Sequence, residues 1–181
     1  MSAGHGHIDP SNKKIALLIA VLALVLAFSE TLGKAAQTNA LSLNIEASNL
    51  WAFFQAKTVR QTVVRTAAEQ TSLGGSSEEA KKQIEAWRKT AQRYQSEPET
   101  GEGRDQLIGR AKDAEKKRDR SMAAYHQYEL ASAAVQIAIV LASAAIVTGA
   151  MALAWIGAGL GVVGVAFCLI GFFAPASVHL F

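Results

Sequence analysis

The chain is poor in the residues that cross-link, break helices or catalyse. Its single cysteine, Cys168, excludes an intramolecular disulfide framework. The apolar neighbours of that thiol mark it as a packing residue. There are three prolines, and none falls between residues 11 and 97, so nothing there forces a helix to stop. Of the four histidines, only His126 lies in the long polar middle of the chain. It has no cysteine beside it, and no glycine-rich phosphate loop follows a strand, so no catalytic residue is expected. His5 and His7 lack a nearby third ligand, so neither metal nor cofactor is expected. No lysine or arginine follows Arg120.

Three long apolar runs are present: Ile15–Thr31, Leu130–Thr148 and Leu153–Phe173. Each is close to the roughly 20 residues that a membrane-crossing helix needs. Lys13-Lys14 followed by the first run also resembles a secretory signal peptide. Leu32 extends the run, and it is read as a retained helix. The expected fold is an all-α integral membrane protein. Three transmembrane helices are joined to an extramembrane antiparallel helical bundle or coiled coil that continues the first and second spans. The expected divisions are a flexible head 1–14, spans 15–33, 129–149 and 152–174, an extramembrane part 34–128, and a tail 175–181.

The extramembrane helices are expected at about 35–71, 77–96 and 104–128. Ala36, Ala40, Leu43, Ala47, Leu50 and Phe54 alternate spacings of four and three, which places them on one helical seam. Leu73-Gly74-Gly75 supplies a stop, and Ser76 with Glu79 matches a capping box that opens the next helix. Ala80, Ile84, Trp87, Ala91 and Tyr94 repeat the spacing until Pro98, Gly101 and Gly103 break it. Leu107, Ala111 and Ala114 repeat it again, and Tyr125 and Tyr128 suit the headgroup level of a bilayer. Short breaks favour antiparallel packing within the chain. The alternative is zippering to other chains, since a seam rich in alanine gains little burial per position.

Helix association in lipid depends on small residues that permit close backbone contact. Stripes of that kind occur at Ala16, Ala20, Ala23 and Ala27, at Ala138, Ala142, Ala145 and Gly149, and most clearly at Gly157, Gly161, Gly164, Cys168 and Gly171. Polar residues within the spans are few. Glu30 near the interface is placed to pair with Lys34 one turn on, the alternative being an ion path. Gln136 is expected to hydrogen-bond a neighbouring helix.

The net charge of +3 is spread among acidic residues in the middle, unlike a nucleic-acid-binding stripe. Lys13 and Lys14 favour a cytoplasmic N-terminus and a periplasmic middle section, whereas Lys116, Lys117, Arg118 and Arg120 favour the reverse. Long loops obey the charge rule poorly, so the N-terminal pair is given the greater weight.

Two stretches carry a resemblance. Asp9-Pro10-Ser11-Asn12-Lys13-Lys14 leads into the first span and is followed by Ile45-Glu46-Ala47-Ser48-Asn49-Leu50-Trp51-Ala52-Phe53-Phe54-Gln55-Ala56-Lys57. Gln136-Ile137-Ala138-Ile139-Val140-Leu141-Ala142-Ser143 opens the final hairpin. Together these resemble the uncharacterised bacterial membrane family called domain of unknown function 4337. The resemblance implies an inner-membrane protein and brings no reaction, ligand or catalytic residue. Relatives of that kind often carry basic residues between the last two spans, and residues 148–152 here have none.

The Asn49–Lys57 element is a candidate interaction surface through Asn49, Leu50, Trp51, Phe53, Phe54 and Lys57, since aromatic residues can anchor a protein contact. The same residues can equally form the core of the bundle. The function expected is a membrane-anchored scaffold or interaction protein, a homo-oligomer or an accessory subunit of a membrane complex. Its partners would be the bilayer and other membrane proteins, without nucleic acid or a small-molecule substrate. The alternative is a subunit of a small homo-oligomeric channel or transporter.

Overall fold

The computed structural model describes residues 10–74 and 77–177. Among the described residues four α-helices follow one another: α1 (Pro10–Leu73), α2 (Glu78–Gln95), α3 (Arg104–Thr148) and α4 (Met151–Phe173), with a short 3-10 turn at Pro175–Ser177. No strand occurs among the described residues. Helices α1, α3 and α4 each hold a stretch long and apolar enough to cross a membrane.

The helix ends follow from local chemistry, with two corrections. Helix α1 begins at Pro10, so residues 10–14 of the expected flexible head are helical. Proline suits a first helical position, where its missing N–H would have had no partner. His5 and His7 lie outside the described residues. The expected cap of α2 at Ser76 shifts by one residue: Ser77 is the N-cap, and its hydroxyl accepts from the Ala80 N–H at 3.1 Å. Ser76 itself lies outside the described residues. Helix α1 ends at Leu73, immediately before Gly74. Helix α3 stops at Gly149, whose φ of +72° is the left-handed conformation that commonly closes a helix and that glycine adopts without strain.

The chain divides into two compact units, one of residues 41–118 and one of residues 1–40 with 119–181. They are called here the middle and terminal units. In the middle unit, Ala47 and Leu50 of α1 pack on Leu107, Ala111 and Ala114 of α3, flanked by Trp51, Phe53 and Phe54. In the terminal unit, Ile15 packs with Ala142, Ala145 and Ala154, and Leu22 with Val135 and Ala138.

The four-and-three seam expected from Ala36 is longer than the sequence reading placed it. From Ile15 to Thr71, every α1 position at that spacing is buried or half-buried. The small-residue stripe expected at Ala16, Ala20, Ala23 and Ala27 is corrected, for all four are exposed. The small residues come instead from α4. Gly161 leaves room for Leu22, whose Cδ2 would lie 2.5 Å from a Cβ built there, so α1 presents large side chains inward. On α3, Ala138, Ala142 and Ala145 are buried, while Gly149 is exposed and serves the helix end.

Candidate functional site

Two clusters of polar side chains are built into these units. The first extends the α1 seam past Phe54. Its next two positions are Lys57 and Gln61, and both are buried. The Lys57 ammonium lies 3.5 Å from the Glu97 carboxylate and 3.7 Å from that of Glu102. The Phe53 and Tyr94 rings both have centroids 5.4 Å from it. One turn on, the Gln61 amide donates to the Ala91 carbonyl at 2.9 Å and to Gln95 Oε1 at 3.2 Å. Arg104, the first residue of α3, donates to Gln61 Oε1 and to Gln95 Oε1, and its guanidinium stacks 5.0 Å from the Phe54 ring centroid.

This network joins all three helices of the middle unit at the α2–α3 turn. A buried cation is tolerated when opposite charges and hydrogen bonds compensate its lost hydration. Lys57 is compensated twice by carboxylates and twice by aromatic faces. Gly103 is required at the same turn, because a Cβ there would strike the backbone of Ser96 and Glu97. The Glu97 N–H donates to Gln106 Oε1 at 3.1 Å, which ties the turn to α3.

The Asn49–Lys57 element therefore supplies much of the interior of the middle unit. Leu50 and Lys57 are buried, and Trp51, Phe53 and Phe54 are half-buried. The Trp51 indole donates to Glu115 Oε1 at 2.8 Å, and its ring meets that of Phe54 edge-on at 5.6 Å. Asn49 alone among the six faces outward. Gln61 and Arg104 were missed by sequence reading, although extending the seam by two steps from Phe54 reaches Gln61.

The second cluster lies in the terminal unit. Ser29, fully buried, donates to the Tyr128 carbonyl at 2.9 Å and accepts from the Ser132 hydroxyl at 3.0 Å. Glu30 and Gln136 come together, the amide donating to the carboxylate at 3.3 Å. The expected Glu30–Lys34 pairing is corrected accordingly: the partner of the carboxylate is an amide on α3, which the packing of α1 on α3 brings within reach. A cleft of about 330 Å3 beside it is lined in part by Glu30, Lys34, Tyr125 and Glu129. Ser29 was missed because a lone serine in an apolar run carries no signal until the seam phase is known.

The glycines of α4 fall where the sequence reading placed them, facing inward. Gly157, Gly161, Gly164 and Gly171 are all buried. A Cβ at Gly157 would lie 2.8 Å from the Ala138 carbonyl oxygen, and one at Gly164 would lie 2.5 Å from Val135 Cγ2. At Gly171 the nearest atom is Tyr128 Cε1 at 3.0 Å. These contacts put α4 against the backbone of α3.

Among the described residues, no three His, Cys, Asp or Glu side chains gather closely enough to hold a metal ion. In the first cluster Lys57 pairs with Glu97 and Glu102, in the second Glu30 accepts from the Gln136 amide, and neither cluster sets a nucleophile beside a base. What the geometry provides is helix-to-helix attachment.

The fold and these clusters define an all-helical protein with three helices long and apolar enough to cross a membrane. The chain belongs to the family described as Domain of unknown function (DUF4337), whose model matches residues 11–174. No curated protein and no solved structure matches it.

Proposed function

We propose that this protein is a multi-pass membrane scaffold of the bacterial inner membrane. Its α1, α3 and α4 cross the bilayer, and its middle unit is a water-exposed antiparallel bundle. It acts by self-association or as an accessory subunit of a membrane complex, with no catalysis of its own. The observation that carries this reading is the α1 seam. It runs without interruption through a stretch of membrane-spanning length and on through the middle unit, and its polar positions are spent on attachment to neighbouring helices. Lys13 and Lys14 support a cytoplasmic N-terminus and hence a periplasmic middle unit.

The test has two parts. Light scattering of the detergent-solubilised chain, with co-purification from native membranes, is expected to give an assembly larger than one chain. Reconstituted vesicles are expected to show no ion flux above protein-free controls. A monomer without a steady partner would overturn the scaffold reading. Flux abolished by Glu30→Gln would overturn it in favour of a channel subunit. Cysteine labelling at Lys116 from the two sides of the membrane tests the orientation.

A further inference from the structure

The outward face of α1 in the middle unit does not look like the outside of a water-exposed helix. Counting from Ile45, the spacing of four and three picks out Asn49, Ala52, Ala56, Val59 and Val63. All are exposed, Ile45 by 53%, Val59 by 63% and Val63 by 61%. None carries a charge. Along one edge of the seam Leu41, Ser48, Gln55 and Thr62 are also exposed and uncharged, while the other edge carries Glu46 and Arg60, both exposed. The other helices of the same unit behave otherwise. Helix α2 exposes Lys81, Lys82, Glu85, Arg88 and Lys89, and α3 exposes Arg110, Lys112, Asp113, Lys116 and Lys117. Helix α1 thus carries two heptad seams on opposite faces, one filled by its own chain and one open.

We infer that the open seam, Ile45 to Val63, is the contact surface for a second copy of this chain, the two α1 helices lying parallel about a two-fold axis. This rests on the membrane reading above, which confines the copies to one bilayer and orients them alike. The partner of a heptad seam is another helix with a heptad seam, and a second α1 is always present with it.

The residues choose the parallel arrangement. A parallel pair places like against like, so Asn49 meets Asn49 and the two amides can hydrogen-bond, the known use of a lone asparagine in such a seam. Ala52 and Ala56 meet their counterparts and let the helices approach closely. On the flanks, Arg60 faces Gln55 of the copy and Glu46 faces Leu41, so no like charges collide. An antiparallel pair would set Asn49 against Val59 and strand its amide without a hydrogen-bond partner. It would gain an exposed Glu46–Arg60 pair, which solvent screening leaves weak. The seam from Ile45 to Val63 is about 28 Å long and 10 Å wide, so two copies bury on the order of 600 Å2. That is less than a specific contact between freely diffusing partners needs. It suffices where the bilayer already holds the partners at high effective concentration. The same register continues through the exposed Leu17, Val21, Leu24 and Phe28, so no charge interrupts the face on the membrane side.

The test uses the full-length chain in native membranes with Cys168 replaced by alanine. Single cysteines are placed at Ala52 or Val59 in the seam, and at Lys89 or Lys116 as controls, and the membranes are oxidised. Disulfide-linked dimers are expected at Ala52 and Val59 and not at the controls. Ala56→Arg should lower the cross-linked fraction at Ala52 by at least about tenfold, since the contact would bury an unpaired charge. Position 56 is exposed in the single chain, so helix content should stay as in the parent. Cross-links at the controls but not the seam would overturn the inference while leaving self-association standing, and the same holds for cross-links only between Ile45→Cys and Val63→Cys chains. A monomer by light scattering with no cross-link anywhere would overturn both.

Discussion

In the middle unit the helices meet through Trp51, Phe54, Lys57 and Arg104, whereas in the terminal unit they meet through Gly157, Gly164, Gly171 and Ser29. The difference matches the solvents proposed for the two units. In water, large side chains gain by leaving the solvent, and long cations can lay their stems along aromatic rings while their heads find carboxylates. In lipid, an apolar side chain gains nothing by exchanging one hydrocarbon neighbour for another. Close backbone approach and a few hydroxyl hydrogen bonds take over. The same α1 seam serves both regimes because its spacing is constant while its residues change from Leu22 and Ser29 to Leu50, Lys57 and Gln61.

The comparison is broken most directly at Lys57. Lys57→Ala removes the pairs with Glu97 and Glu102, two aromatic contacts and the buried stem together. It should destabilise the middle unit by about 3 kcal/mol. Lys57→Met keeps the stem, and both carboxylates retain access to water, so its cost should be about 1 kcal/mol. Amide hydrogen exchange across residues 41–118 of the whole chain in detergent reads both values. Equal losses for the two variants would mean that charge, not packing, dominates at this position.

At the terminal unit the corresponding change is Gly157→Ala. The added methyl meets a backbone carbonyl on α3, which cannot swing aside as a side chain would. The expected cost is about 2 kcal/mol, read as a lowered detergent-denaturation midpoint. Gly159 is the control. It shares the helix but has nothing within 4 Å of a built Cβ, so Gly159→Ala should be neutral or stabilising by up to about 1 kcal/mol. If the two substitutions behaved alike, α4 would not lie against α3 as described.

Ser29→Ala comes next. It removes a bond to the Tyr128 carbonyl and leaves Ser132 without its acceptor, an effect of about 1 kcal/mol within an apolar surround. The same denaturation series measures it, and additivity with Gly157→Ala is expected because the residues share no partner.

The sequence makes the helices legible and leaves much of their facing hidden. Three apolar runs, the glycine stop after Leu73 and the break at Pro98–Gly103 give the elements nearly as they stand. The α4 glycines were legible too, because only close approach explains their spacing. The inward face of α1 was read correctly from Ala36 to Phe54 and wrongly from Ala16 to Ala27. In the first stretch apolar residues contrast with polar neighbours. In the second every neighbour is apolar and periodicity carries no contrast. Gln61 and Ser29 were hidden for a related reason: a polar side chain at a seam position breaks the pattern used to find the seam. Only three-dimensional neighbours reveal that Lys57 is satisfied where it sits. Glu30 shows the same limit, since local spacing offered Lys34 while the partner, Gln136, lies on another helix.

The smallest effect sharpens the boundary of α2, where two adjacent serines compete as caps. Ser77→Ala removes the hydroxyl that accepts from the Ala80 N–H, and with it one of the few satisfied donors of the first turn. The site is exposed and water can replace the bond, so the cost should sit at the low end for a cap, roughly 0.5 kcal/mol. Ser76→Ala should change nothing measurable. Hydrogen exchange at residues 78–82 distinguishes the two, because loss of the cap frays the first turn before it lowers overall stability. Faster exchange in the Ser76 variant alone would return the cap to the position the sequence first suggested.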